Sequence, residues 1–144
     1  MQTISTTDLA HRLRPVITRL ARRMRQQAAA DLSPTQGAAL ATIDCHGPLT
    51  PSELAARERI QRPTATRVLA HLEESGLIAR TADPADRRSS LVSTTEGGRE
   101  LLDAVRDRKD AYLVQRLDRL SPEDLAALER AAGVLEQVLE EGGE

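Results

Sequence analysis

The chain has 144 residues, enough for one domain or one protomer of an assembly. Tyr112 is the only aromatic residue, so the core is expected to be aliphatic. The single cysteine excludes an intramolecular disulfide. There is no apolar run near the ~18 residues of a membrane span and no apolar signal segment, so we expect a cytoplasmic protein with no membrane partner.

The net charge of −2 conceals an uneven distribution. Residues 1–30 carry six arginines and one aspartate, and residues 57–93 carry seven arginines and five acids. Residues 94–144 carry seven bases and thirteen acids. The total charge therefore does not favour any particular binding partner, and the function has to be inferred from local sequence patterns.

Three helix starts share one pattern. "SPTQ" (33–36), "TPSE" (50–53) and "SPED" (121–124) place Ser or Thr at the cap, Pro at the first helical position and Gln, Glu or Asp at the third. Before the first of them, apolar residues at three- and four-residue steps from Leu9 to Met24 predict a helix of about 20 residues. Pro15 either kinks that helix or marks its beginning.

The middle of the chain predicts further helices and a hairpin. A helix over 33–44 and a short helix over 50–58 precede a helix over 61–76, which ends at Gly76. "GLIAR" and "SLVS" predict two short strands around an eight-residue connection, Thr81 to Arg88. A long helix from near Thr95 and a last helix from Ser121 have apolar steps that suit helix-on-helix packing.

This order of elements predicts a mainly α, winged helix-turn-helix fold. The helix over 61–76 buries one stripe, formed by Ala65, Val68, Leu69 and Leu72. At 100° per residue, its opposite side presents Pro63, Thr66, Arg67 and Ala70, flanked by Thr64 and His71.

The exposed side of this helix has the chemistry of a DNA-reading surface. Arg67 can contact guanine or a phosphate, and Thr64 and Thr66 can bond a phosphate or touch a thymine methyl. Gln61 and Arg62 lie near the helix start, where the dipole favours phosphate. We therefore expect double-stranded DNA as the partner.

The hairpin tip, "DPADRRSS", is expected to be a wing. Asp83 and Pro84 open a turn, and Asp86 can hydrogen-bond or pair with a neighbouring arginine to fix its direction. Arg87 or Arg88 would then enter a minor groove. The alternative is a polar hairpin with two solvated arginines.

Nearly the whole chain resembles the MarR family of bacterial winged-helix regulators. The resemblance is carried by "GPLTPSELA" (47–55), "RPTATRVLAHLEESGLIAR" (62–80), "DPADRR" (83–88) and "LVSTTEGGREL" (91–101). It implies a single domain over 1–144, with a DNA-binding lobe at 33–93. It also implies an obligate homodimer held by 1–30 and 95–144, and a pseudo-palindromic operator. Two positions depart from the family pattern: Gln61 replaces a common Ser cap, and Thr94 replaces a commonly apolar residue.

The resemblance also implies a small anionic, often phenolic, effector bound between the dimer helices and the DNA-binding lobe. Candidate contacts are Arg19, Arg23, His46 and Tyr112. Cys45 is expected to be a buried, inert thiol. The three histidines have no metal-ligand spacing, so neither a metal nor another cofactor is expected.

These patterns predict a DNA-binding transcription regulator, and the resemblance implies a homodimer that acts as a repressor relieved by a small molecule. The alternative is a winged-helix module that binds another protein and not DNA. No motif supports catalysis, and no catalytic residue is expected.

Overall fold

The computed structural model describes residues 2–28 and 31–142. Within them lie six helices and one two-stranded antiparallel sheet. In chain order these are α1 (Thr6–Gln27), α2 (Pro34–His46), α3 (Pro51–Glu58), α4 (Arg62–Glu74), β1 (Ile78–Ala82), β2 (Ser90–Thr94), α5 (Glu96–Leu117) and α6 (Pro122–Glu141). The chain forms two compact units, one ending at Lys109 and the other beginning at Asp110.

The predicted helix starts are confirmed. Ser33 and Gln36 form a reciprocal capping box, with N···O distances of 3.0 and 3.1 Å. The side chains of Thr50 and Ser121 each accept from a backbone N–H three residues later, at 3.1 Å. Pro15 lies inside α1, whose cap is Ser5, so the helix begins well before the proline.

The core of the first unit is aliphatic, as the composition predicts. Its fully buried large side chains are Leu40, Ile43, Leu54, Leu69, Leu72 and Val92, from α2, α3, α4 and β2. Leu49 joins β2 through paired backbone bonds with Val92, of 3.0 and 2.7 Å. Because each buried leucine contributes about 1.5–3 kcal/mol, this cluster fixes α3 and α4 against α2 and the wing.

The hairpin is longer than predicted and its connection shorter. β1 and β2 pair in the register Ile78↔Thr94 to Ala82↔Ser90, so the connection is the seven residues 83–89. Thr81 and Ala82 belong to the strand although both are exposed. The apolar pattern misses them because it reports burial, whereas the ladder of backbone hydrogen bonds continues into solvent.

One junction joins the end of α4, the start of β1 and the start of α5. Gly76, at φ +73°, allows the backbone bonds Leu77 N–H to Leu72 O and Gly76 N–H to Glu73 O that close a Schellman cap. The Thr95 hydroxyl donates to Gly76 O at 2.6 Å and accepts from Gly98 N–H at 3.1 Å. A Cβ on Gly98 would lie 2.2 Å from the Leu77 oxygen, so only glycine fits there. The wing is therefore anchored at its base.

Two helices bury little of their apolar surface in the protomer. No described residue of α1 or α6 is buried in the protomer. The exposed large apolar side chains include Leu9, Val16, Ile17 and Leu20 on α1, and Leu125, Leu128, Val134, Leu135, Val138 and Leu139 on α6. None of the helices in residues 2–28 and 31–142 is long and apolar enough to cross a membrane.

Candidate nucleic-acid interface

The exposed side of α4 has the composition that its helical periodicity predicts. Ala65, Val68, Leu69 and Leu72 are buried. On the opposite side Pro63, Thr66, Arg67 and Ala70 are exposed, and Thr64 and His71 are half-buried beside them. We call the four exposed residues, Pro63, Thr66, Arg67 and Ala70, the α4 face. It carries small side chains around one arginine, so the helix backbone can approach a groove about 12 Å wide.

The start of α4 is held by α3 and not by its own cap. Gln61 is the N-cap residue but makes no side-chain cap bond, as expected where a Ser is missing. Arg62 Nη1 instead donates to Ser52 Oγ of α3 at 2.5 Å. The sequence did not predict this contact, because it joins two separate helices and follows no local pattern.

Thr66 uses its hydroxyl inside the helix. Oγ1 donates to the Arg62 carbonyl oxygen at 3.0 Å, while the residue as a whole is exposed. This is the i−4 back-bond common for Thr in helices, and it directs the oxygen toward the preceding turn. The other branch of Cβ is a methyl group, which cannot form a hydrogen bond.

Two exposed arginines that the motifs did not single out lie at the end of α3, just before α4. Arg57, in the last turn of α3, and Arg59 are both exposed. Arg59 closes α3 in the left-handed conformation, at φ 53°. In the sequence, only the short distance of these arginines from Arg62 could have indicated that they are candidates for the same interface.

The tip of the wing is ordered by two aspartates. Asp83 Oδ1 accepts from Ala85 N–H, and Asp86 Oδ1 accepts from Arg88 N–H, each at 2.9 Å. Of the two roles predicted for Asp86, the structure shows the hydrogen bond, to the backbone of Arg88. Arg87 and Arg88 are exposed, and neither forms an ion pair with the described residues. Their guanidinium groups can therefore neutralise an external phosphate.

The arginine nearer the base of the wing forms an ion pair that neutralises its charge. Arg80 on β1 pairs with Glu73 at the end of α4, with Nε 3.0 Å from Oε2. Both side chains are partly exposed, so the pair is worth little in stability. It does remove one positive charge from the wing, which places the uncompensated charge at the tip.

A cavity of about 610 Å³ lies in the first unit, between the end of α1, the start of α2 and α5. Arg22, Arg25 and Lys109 give it positive charge, and Leu32, Ala41 and Val105 are among its apolar residues.

The predicted effector contacts do not line this cavity. Arg19, Arg23 and His46 are exposed elsewhere on the first unit. Tyr112 belongs to the other unit, where it is buried beneath Arg116, whose guanidinium carbon is 3.6 Å from the ring centroid. The cavity therefore has its own set of basic residues, different from the predicted one.

The expectation of a buried Cys45 is wrong. Its side chain is exposed near the end of α2. The reason is helical geometry, since Cys45 follows the buried Ile43 by two positions, about 200° around the helix.

A helix pair packed on a third helix, with the second helix of the pair exposed on one side and an ordered two-stranded wing, defines a winged helix-turn-helix protein. Residues 32–90 match the model of the MarR family. An uncharacterized HTH-type transcriptional regulator of Mycobacterium leprae is 36% identical over 138 residues, 95% of this chain and 96% of that protein. The HTH-type transcriptional repressor NicR of Pseudomonas putida is 30% identical over 88% of this chain and 78% of its own length. The chain belongs to the MarR family of transcriptional regulators.

Solved structures have the same fold over nearly the full length. A transcriptional regulator of Thermotoga maritima superposes with a TM-score of 0.81 at 25% identity, covering 95% of this chain and 97% of its own. A mutant of MarR from E. coli gives 0.74 at 27% identity, covering 96% and 99%. The winged helix-turn-helix fold predicted from the sequence is therefore confirmed.

Proposed function

We propose that this regulator is a homodimeric repressor that binds a pseudo-palindromic operator in double-stranded DNA. The observation that carries the proposal is the α4 face, exposed beside a wing whose two tip arginines are unpaired among the described residues. The assigned DNA contacts are Gln61, Arg62, Pro63, Thr64, Thr66, Arg67, His71, Arg87 and Arg88. Asp83 and Asp86 support the wing, and no residue is assigned a catalytic role.

The two copies of α4 would be spaced by a dimer. The exposed apolar side chains on α1 and α6 form faces that a stable protein in water covers. A second copy of the chain supplies a matching surface, because α1 carries six arginines and one aspartate while α6 carries six acids and one arginine. The assignment of residues 1–30 and 95–144 to dimerisation and of 33–93 to DNA binding rests on this pattern.

Repression is the proposed direction of regulation. Two relatives that are 30% identical, NicR of Pseudomonas putida and MdtR of Bacillus subtilis, are named transcriptional repressors. A dimer bound across two helical turns of a promoter excludes polymerase from it. The protein would therefore act in the cytoplasm, where the chromosome lies.

The cavity beside α1 is the proposed place for a small effector. Its mixture of apolar walls with Arg22, Arg25 and Lys109 suits an anionic or phenolic molecule with an apolar body. These basic residues are to be tested beside the predicted contacts Arg19, Arg23, His46 and Tyr112, which do not line this cavity. Ligand binding there would relieve repression if it favoured a spacing of the two lobes that does not fit the operator.

Selection of duplexes from a random library, followed by gel shift, tests the proposal. We expect an enriched sequence with two inverted half-sites about one helical turn apart, centre to centre. Affinity should fall by orders of magnitude between about 50 and 200 mM salt. If no sequence is enriched and binding does not depend on salt, the alternative of a protein-interaction module gains support.

A further inference from the structure

The α4 face has two polar side chains, Thr66 and Arg67, and only Thr66 is bonded within the protein. The Thr66 hydroxyl donates to the Arg62 carbonyl at 3.0 Å, and the Arg62 guanidinium donates to Ser52 at 2.5 Å. Pro63 and Ala70 have no polar side-chain atom. Arg67 is exposed and forms no hydrogen bond or ion pair with the described residues, so it is the uncommitted charged group of the face.

The rest of the α4 face is made of carbon. Apart from Arg67 and the internally bonded Thr66 hydroxyl, it consists of the Pro63 ring, the Ala70 methyl and the Thr66 methyl, all on exposed residues. Such a surface loses free energy against polar base edges, because it cannot replace the water that it removes from them. It gains free energy against the one apolar group in the major groove, the 5-methyl of thymine.

We propose that Thr66 is a specificity-determining residue that reads the 5-methyl group of a thymine through its own methyl, beside the base contacted by Arg67. The inference rests on the proposed DNA binding and adds what each half-site must contain. Thr66 is suited to this because its internal hydrogen bond fixes the side chain before DNA arrives, so little rotamer entropy is lost on contact. An unfixed hydroxyl would accept or donate to several bases and would discriminate poorly.

The test uses a duplex that the wild-type protein itself selects from a random library. Each thymine of a half-site is replaced in turn by deoxyuridine, which keeps every pairing and groove hydrogen bond and removes only the methyl. We expect one position per half-site at which the dissociation constant rises about fourfold, the value of one buried carbon. Replacement of thymines outside the two half-sites is the matched control and should leave affinity unchanged.

Two conservative variants assign the effect to an atom of Thr66. Thr66→Val keeps a methyl in place and removes the hydroxyl, and it should retain the preference for thymine over uracil. Thr66→Ser keeps the hydroxyl and removes the methyl, and it should bind both duplexes equally. If Thr66→Ser keeps the preference while Thr66→Val loses it, the hydroxyl is the reading group and the inference is overturned.

Failure of the inference is distinguishable from failure of the proposed function. If wild-type protein enriches no sequence, DNA recognition itself fails and the inference falls with it. If it selects an operator but no uracil replacement weakens binding, the protein is a DNA-binding regulator that does not read a thymine methyl. An operator with no thymine in its half-sites overturns the inference in the same way.

Discussion

Arg67 is the residue on which sequence discrimination by the proposed α4 face should depend most. It is the exposed charged residue of that face and forms no ion pair with the described residues. We expect Arg67→Ala to lose about 1–3 kcal/mol of preference for the selected operator over a scrambled duplex. Competition gel shifts measure this preference. The matched control is Arg106→Ala on α5, which removes the same charge from an exposed site and should keep it. Equal discrimination by both variants would contradict the assignment of the reading face.

Substitutions of the neighbouring residues Thr94 and Thr95 should change the free energy of unfolding in opposite directions. The Thr94 hydroxyl is buried and without a hydrogen-bond partner among the described residues, in a residue that is only 9% exposed. We expect Thr94→Val, which keeps the shape, to raise the free energy of unfolding by about 1 kcal/mol. Thr95→Val should lower it by a similar amount, because that hydroxyl bonds both Gly76 and Gly98. Urea denaturation measures both. A loss of stability in both variants would show that the Thr94 hydroxyl has a partner.

For single residues, the sequence predicts which side of α4 is buried, but it does not predict the hydrogen-bond partners of the side chains. The stripe of Ala65, Val68, Leu69 and Leu72 follows from helical periodicity alone. The bond from Arg62 to Ser52 depends on how α3 crosses α4, and no spacing in the sequence encodes that crossing. The expectation of a buried Cys45 fails because a cysteine near the end of a helix is placed by the helix phase and not by its residue type.

At the scale of secondary-structure elements, helix starts are predictable because the residues that cap a helix lie within a few positions of one another in the sequence. Ser33, Thr50 and Ser121 each satisfy N–H groups within three residues, and the proline that follows each has no N–H to satisfy. Strand ends are less predictable. β1 continues through Thr81 and Ala82 because backbone pairing with β2 continues, and neither residue is buried to reveal it.

The wing is the element whose contribution should be mainly electrostatic. Arg87→Ala or Arg88→Ala removes one guanidinium from each protomer, so a dimer loses two charges. A wing arginine that neutralises phosphate should weaken binding evenly across sequences. Its removal should also reduce the slope of log affinity against log salt by about 2. Salt titrations of both variants identify which arginine makes the contact. If both slopes match that of wild type, the wing does not lie against DNA.

At the scale of the whole molecule, the residues that line the cavity could not be predicted from the sequence. Arg22 and Arg25 line it, and Arg19 and Arg23 do not, although all four belong to the same arginine-rich helix. The choice among them depends on how the end of α1 meets the start of α2 and α5. That meeting is a property of tertiary packing, so no pattern within α1 predicts it.

The quaternary structure gives the last prediction. Val138 on α6 is 60% exposed in the protomer, and the proposed dimer covers the apolar face to which it belongs. Val138→Glu would bury an unpaired carboxylate in each subunit, so the dimer dissociation constant should rise roughly a hundredfold or more. Gln137→Glu adds the same charge at the neighbouring exposed position and should remain dimeric. Sedimentation velocity measures the mass, and gel shift should show that the monomeric variant also loses operator binding. A wild-type protein that sediments as a monomer, or a Val138→Glu dimer as tight as the control, would contradict the proposed assembly.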